Sequence, residues 1–381
     1  MSANIPAIRF HGVPALSSGY GNATINFCSA LSDSAIPTKF VLSSKRWSGD
    51  LKSFYENLNN FTGDTDIDLY LHVPPFAKHR NKNYKIGYFY WEADSLPRAW
   101  ARDIVSNLNE IWVPCNLIKS ACIKAGFKGP IEIVPTPCEL DLTIGKDAFI
   151  PSPISSDLIL SDDVFKFYSI FQWQERKGFE ALLRAYYTEF SEHDNVLLIL
   201  KVNPLIAPGH GLVKIKHDIL KIKKMTNKKN PPKVFLITEH LSKESLTKLH
   251  MMCDCFVLPH HGEGWGIPIH HAILSDSHVI VTKFGGITES LDDDSASIIK
   301  HTLGPVKNMK WNKLYTSDQK WAYPSLAHTS QLMRGAYENR HNFSDKTNNA
   351  KNIVKSMSPE GVASTIKHIL FKKRFLKRGR P

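Results

Sequence analysis

Short apolar runs alternate with amphipathic stretches along nearly the whole chain, and they do so in two series. In the first half the runs are PAIRFHG (6–12), PTKFVLS (37–43), DIDLYLHV (66–73), YKIGYFYW (84–91), EIWVP (110–114) and IEIVPT (131–136). Stretches such as GNATINFCSALSDS and NLIKSACIKAG lie between several of them, and Ser95, Pro97 and Trp100 mark a further helix start. A segment rich in Pro, Ser and Asp, DAFIPSPISSDLILSDD (147–163), interrupts the pattern. The alternation restarts with FKFYSIFQW (165–173), NVLLILKVN (195–203), KVFLIT (233–238), CFVLP (255–259), SHVIVT (277–282) and ASIIK (296–300). Helical periodicity falls at 177–190, 211–225, 242–252 and 268–275. Strands that alternate with helices imply parallel sheets covered on both faces, so two series predict an α/β chain of two doubly wound domains. At 381 residues the chain is also too long for one ordinary core. We place the first domain at 1–150, a linker at 151–164 and the second domain at 165–355. A basic C-terminal helix or tail follows at 356–381, placed to cross back to the first domain.

Several classes of function are excluded. The hydrophobic fraction of 42% and charged fraction of 22% are those of a soluble globular protein. No apolar run reaches the roughly 20 residues of a membrane span, and the start lacks a signal pattern, which gives a cytoplasmic expectation. The six cysteines, at 28, 115, 122, 138, 253 and 255, contain no CxxC pair and read as buried free thiols. GxGxxG, GxxxxGK[ST] and GxSxG are absent, which argues against a simple dehydrogenase, a P-loop enzyme and a serine hydrolase. Nothing repeats at a short period. The formal net charge of +12 is the compositional oddity, with lysines clustered in VKIKHDILKIKKMTNKKNPPK (213–233) and in the C-terminal segment. Solvated helix faces account for it, as does attraction to nucleic acid or to an anionic membrane surface.

In open α/β sheets ligands bind beyond the carboxyl ends of strands, at the switch point, and with two domains the crevice between them is the default site. The stretch HHGEGWGIPIHHAILSDS (260–277) follows one predicted strand and opens a helix. Pro268 suits a first helical turn, where its missing N–H costs nothing. Gly264 and Gly266 leave the preceding backbone bare, and unpaired N–H groups at a helix start form an anion site. Glu263 at the lip accepts hydrogen bonds from hydroxyls. A phosphate cradle beside a carboxylate for polyols describes a nucleotide-sugar pocket. The alternative is a tight turn with Trp265 capping the core.

EGWGIP, followed about twenty residues later by FGGITE (284–289), resembles the donor loop of family-four retaining glycosyltransferases of the GT-B fold. SIFQWQERKGFEALLRAYYTEF (169–190) resembles their first strand and helix after the linker, and GYGNATINFCSAL (19–31) their N-terminal glycine loop and helix. The segments 87–141 and 321–334 match a branch of the same family. The resemblance covers most of the chain in the right order, and it implies two Rossmann-like domains facing a central cleft.

Residue by residue, the resemblance implies that Lys177 pairs with the donor diphosphate, with Arg176 beside it. Glu263 holds hydroxyls of the transferred sugar, and Gly264, Trp265, Gly266 and Ile267 supply backbone that touches sugar and phosphate. Gly285 and Gly286 line the same wall, and Glu289 contacts the nucleotide. Gly19 and Gly21 close on the diphosphate, and His72 aligns with a histidine near the reacting carbon. Two positions depart from the pattern: His271 stands where a ribose-gripping glutamate is expected, and Gln172 where a basic residue is. A metal pair at His270 and His271 is disfavoured, because neighbouring helical positions do not face the same way, and no metal ligands are assigned.

The implied reaction is glycosyl transfer with retention, from a nucleoside-diphosphate sugar as co-substrate, without a metal or other cofactor. LDDDSAS (291–297) reads as a polar turn rather than a metal motif. The acceptor stays open among polysaccharide, glycan, lipid, small polyol and, given the basic charge, a modified base in DNA; peripheral membrane contact is the other partner the charge admits. The rival reading is a GT-B protein that binds nucleotide sugar or nucleic acid without catalysis.

Overall fold

The computed structural model describes residues 5–15, 18–43, 50–76, 82–144, 163–204, 211–309, 312–340 and 343–373. Of the linker expected at 151–164 all but Asp163 and Val164 lies outside the described residues, as does 374–381 of the basic C-terminal segment. The chain forms two compact units, Met1–Glu139 with Lys355–Pro381, and Leu140–Val354.

The first unit begins β1 (Ile8–Gly12), α1 (Gly19–Ser32), β2 (Thr38–Leu42), α2 (Asp50–Glu56) and β3 (Ile67–Leu71). It continues β4 (Tyr84–Tyr88), α3 (Arg98–Asn107), β5 (Glu110–Val113), α4 (Asn116–Lys124) and β6 (Ile131–Ile133). The strands pair in parallel in the order β2-β1-β3-β4-β5-β6. Alternate residues of β1 turn Ile8 and Phe10 into the core, where Phe10 meets Phe27 of α1 and Phe40 of β2. Ser18 caps α1 by accepting from the Gly21 N–H at 3.0 Å.

The second unit runs β7 (Phe165–Gln172), a 3₁₀ turn at Glu175–Lys177, α5 (Phe179–Glu189), β8 (Val196–Asn203), α6 (Leu212–Met225) and β9 (Lys233–Ile237). Then come α7 (Lys243–Met251), β10 (Cys255–Leu258), α8 (Ile267–Leu274), β11 (His278–Thr282), β12 (Ser297–Ile299), β13 (His301–Pro305), β14 (Lys320–Pro324), α9 (Leu326–Glu338) and α10 (Ser344–Lys355). Its main sheet is parallel in the order β12-β11-β10-β7-β8-β9, and β13 and β14 form an antiparallel hairpin. β8 is buried at seven of eight positions, which accounts for the apolar run VLLIL at its start. Arg334 of α9 clamps α5, bonding Glu189 at 2.8 Å and Asp194 at 2.7 Å while stacking over Phe190.

The last helix, α11 (Pro359–Lys372), belongs to the first unit and packs on α1. Lys373, just beyond it, reaches the buried Glu110 carboxylate at 2.6 Å. All six cysteines are buried free thiols. Among the described residues no helix is long and apolar enough to cross a membrane.

Two local readings change. The helix expected from 177 starts at Phe179, because Gly178 adopts the left-handed conformation (φ 68°) and separates a 3₁₀ turn from α5. The β13–β14 hairpin was not anticipated: neither strand carries a long apolar run, and its pairing joins residues up to 23 apart in sequence, His301 to Pro324.

Candidate functional site

In the second sheet the chain steps from β7 through β8 to β9 on one side, then returns to place β10, β11 and β12 on the other. The order reverses between β7 and β10, so the loops leaving those two strands meet beyond their carboxyl ends, at the switch point. The loop after β7 carries Arg176 and Lys177; the loop after β10 carries Glu263. The sheet therefore brings together residues 86 positions apart.

Lys177 Nζ hydrogen-bonds Glu263 Oε1, and Arg176 Nη1 lies 3.5 Å from the same oxygen. Arg176 is buried, and Nη1 also donates to the Gly262 carbonyl at 2.5 Å, while the His261 N–H donates to the Arg176 carbonyl at 2.8 Å. Arg176 thus holds the 260–263 loop in place as well as facing its carboxylate. Burial alone would raise the Glu263 carboxyl, but Lys177 and Arg176 beside it prevail and hold it at about 2. Glu263 is an anion at neutral pH, and its principal partner, Lys177, is the less buried of the two cations.

Glycines let three loops touch through bare backbone. A Cβ on Gly178 would lie 1.9 Å from the Pro259 carbonyl oxygen, and one on Gly285 (φ 90°) 2.0 Å from the Glu263 carbonyl oxygen. The Gly286 N–H donates to that Glu263 carbonyl at 2.8 Å, so Gly285 and Gly286 brace the loop that carries Glu263. Gly266 caps α8 with φ 88°, followed by Ile267 and Pro268, and the intrahelical bonds begin only at Ile269. Pro268 has no N–H, so the Ile267 N–H is the one amide of α8 that precedes its ladder and faces a prospective anion. Glu289 closes a short 3₁₀ turn after Gly286, where Thr288 Oγ1 approaches it to 3.4 Å.

The Trp265 side chain points inward: it is 3% exposed and stacks on His270 at 4.8 Å. Its indole packs the core, and only its backbone is available to a ligand. His270 and His271 diverge, as helical geometry requires. His270 Nδ1 donates to the Gly266 carbonyl at 3.1 Å and Nε2 accepts from Ser290 Oγ at 3.0 Å, whereas His271 stands edge-on to His250. Burial drives His271 down to about 4, so it is a neutral imidazole at neutral pH.

In the first sheet the order reverses between β1 and β3. The loop after β1 leads to Gly19 and Gly21 at the start of α1, and the residue after β3 is His72. These residues stand beyond the carboxyl ends of neighbouring strands. His72 Nδ1 donates to the Val73 carbonyl at 2.7 Å, which leaves Nε2 as the basic nitrogen of the neutral ring. Burial lowers its pKa, with Val73 opposing and His11 reinforcing.

Three features escaped the sequence reading. Beneath His72 a polar ladder crosses β1 and β3: Arg9 bonds the buried Asp68 at 2.5 and 2.9 Å, and His11 stacks on Tyr70 at 4.5 Å. Burial opposes ionisation of Asp68, yet bonds from His11 and Arg9 hold its carboxyl well below the usual range. His260 is fully buried, neither of its ring nitrogens has a hydrogen-bond partner, and burial pushes it down to about 3. The hairpin ties the 260–263 loop: His261 stacks on Trp321 at 4.7 Å and exchanges backbone and side-chain bonds with Ala322. Only the doubled histidine at 260–261 was visible in sequence.

Residues 158–303 match the family model of glycosyl transferases group 1. No curated protein matches the chain. Among solved structures, Anabaena HepE in complex with UDP and glucose aligns over 96% of this chain and 100% of its own at 13% identity, TM-score 0.68. Sucrose-phosphate synthase from Thermosynechococcus elongatus aligns over 98% and 100% at 12% identity, TM-score 0.65. A glycosyltransferase from Rickettsia africae aligns over 98% and 99% at 11% identity, TM-score 0.66. At these identities the structures speak to the fold, and the family model speaks to the segment 158–303 that carries Lys177 and Glu263. The chain thus has the GT-B fold, and its residues 158–303 are similar to the group 1 glycosyltransferases.

Proposed function

We propose that the protein transfers a glycosyl group, with retention of anomeric configuration, from a nucleoside-diphosphate sugar to an acceptor hydroxyl. The observation that carries this reading is the Arg176–Lys177–Glu263 cluster at the switch point between β7 and β10, next to the amide that opens α8. Lys177 exchanges its bond with Glu263 for the donor diphosphate. Glu263, released, accepts hydrogen bonds from hydroxyls of the sugar. As the bond between the anomeric carbon and the diphosphate oxygen breaks, negative charge grows on the phosphate. Lys177 and the Ile267 amide that opens α8 are oriented beforehand to meet it. The acceptor oxygen bonds to the anomeric carbon from the side the phosphate leaves, and its proton passes to the departing phosphate oxygen. His72, with Nε2 as its basic nitrogen, is assigned to the reacting carbon, and Gly19, Gly21 and Glu289 to the donor diphosphate and nucleoside. This chemistry needs no metal and no further cofactor. The HepE structure solved with UDP-glucose supports UDP-glucose as the first donor to try.

One observation favours a second reading, a protein that binds nucleotide sugar without turnover. Where the resemblance expects a ribose-gripping carboxylate, His271 is a neutral ring turned towards His250. Incubation with a panel of labelled nucleotide sugars separates the two. Slow donor hydrolysis, abolished by Glu263→Ala, supports transfer; saturable binding with no hydrolysis or transfer on any acceptor supports the second reading. Nuclear magnetic resonance of the first-formed product reads the anomeric configuration, and an inverted product would overturn retention.

A further inference from the structure

Helix α6 (Leu212–Met225) places its apolar residues on two opposite sides. Ile215 and Ile222 are buried and anchor the helix to the unit, where it packs on α5. Asp218 fixes its rotation by accepting from Trp173 Nε1 at 3.1 Å and from Lys214 Nζ at 2.8 Å. At 100° per residue, Val213 and Leu220 project from the side opposite those isoleucines, and they are 84% and 57% exposed. Of the twelve large hydrophobic residues exposed among the described ones, four belong to this helix: Leu212, Val213, Leu220 and Met225. Val213 and Leu220, two turns apart, form the crest, and Leu212 and Met225 stand on its two flanks, about 100° or more from Val213.

The crest is flanked by cations. Lys216 and Lys223 lie on one side of the Val213–Leu220 row and Lys221 on the other, with Lys224 between, and Asp218 is the sole acid of the helix. We propose that this face of α6 docks the protein on an anionic lipid surface, with Val213 and Leu220 entering the headgroup boundary and the lysines pairing with lipid phosphates. A second copy of the chain is disfavoured as occupant, because it would set lysine rows against each other. A nucleic acid would satisfy the lysines but offers nothing to a protruding valine and leucine. The acceptor or product of the transfer need not be lipid for this docking to occur.

The test is flotation of the full chain with vesicles of phosphatidylcholine alone and with added phosphatidylglycerol, across a salt series. Binding is expected only with phosphatidylglycerol and is expected to weaken with salt. The paired change Val213→Asn with Leu220→Asn should cut partitioning about tenfold or more. Lys216→Gln with Lys223→Gln should cut it about 25-fold, near fivefold per lysine, and flatten the salt dependence. All four positions are on the surface, so unfolding temperature and donor hydrolysis in free solution should not move. Absence of binding to anionic vesicles overturns the proposal, as does binding indifferent to the asparagine pair. Duplex DNA binding lost in the glutamine pair but kept in the asparagine pair assigns the face to nucleic acid instead. Self-association abolished by the asparagine pair assigns it to a second copy.

Discussion

Lys177 and Glu263 are bonded to each other across 86 residues of sequence, and Arg176 approaches the same carboxylate oxygen to 3.5 Å. An ion pair of this kind stores the site's two functions in one contact, because separating it presents a cation and a carboxylate together. Lys177→Ala should lower the rate of donor cleavage by about 100- to 1000-fold, the loss typical of one preorganised charge at a developing anion. Glu263 keeps Arg176 as a partner in that variant, so the stability loss should stay near 1–3 kcal/mol. Steady-state kinetics with the hydrolysed nucleotide sugar, alongside thermal unfolding, checks both; unchanged rates would move the diphosphate elsewhere.

Acid should unfold the second unit from an unusually high pH. His260, His270, His271 and His278 are held neutral by burial, at about 3, 4, 4 and 3. Each titrates near 6.5 when unfolded, so the unfolded chain binds more protons as pH falls below that value. The stability they contribute is present above pH about 6.5 and drains away toward their folded values, with a slope of up to about 1.4 kcal/mol per pH unit for each. Glu263 adds a second loss. Its folded value of about 2 lies below the unfolded 4.5, so its contribution is present above 4.5 and disappears as pH falls toward 2. Urea unfolding followed from pH 7 to pH 5 should show a falling midpoint; a flat profile would mean these imidazoles are not buried neutral.

Gly285→Ala should disable the site without touching a ligand-facing side chain. The backbone is in the left-handed region and the new Cβ would strike the Glu263 carbonyl oxygen, so the loop bearing Glu263 must shift. A side chain at this positive φ, with ψ −142°, costs about 1–3 kcal/mol by itself, and the clash adds to it. A drop in unfolding temperature together with loss of donor cleavage is expected, and hydrogen exchange should rise around 260–266. A fully active, equally stable variant would show that these loops do not meet as described.

How much of this was legible depended on range. Period-2 and continuous apolar runs located β1 to β12 to within a few residues, because each strand is buried by residues of its own segment. Glu263 was also readable, since glycines and a proline beside it announce a turn, whereas Lys177 stood out through the family resemblance alone. What sequence hid was pairing at a distance. Arg9 and Asp68 are separated by 59 positions and bond only because β1 and β3 are neighbours in register. The support of His261 by Trp321 and Ala322 depends on a hairpin that has no local apolar signal. The roles of the glycines were legible only in kind: Gly178, Gly285 and Gly286 serve contact between loops, and that shows only in three dimensions.

Gly19 and Gly21 look equivalent in the sequence and are opposite in the structure, which gives a clean test of ligand contact in the first unit. A Cβ on Gly21 would lie 2.1 Å from the Ala15 carbonyl oxygen, against backbone that cannot yield. Gly21→Ala should therefore destabilise the first unit, whatever the function. A Cβ on Gly19 meets nothing within 4 Å, and the residue opens α1. Gly19→Ala should leave stability unchanged or raise it by up to about 1 kcal/mol, since alanine suits a helix better than glycine. If α1 approaches the donor phosphates through bare backbone, the same variant should still lose about tenfold in kcat/KM, a few tenths of an ångström being enough to misplace a reacting group. Unfolding temperature and kinetics measured on one preparation decide it: equal stability with equal kcat/KM would remove Gly19 from the donor site.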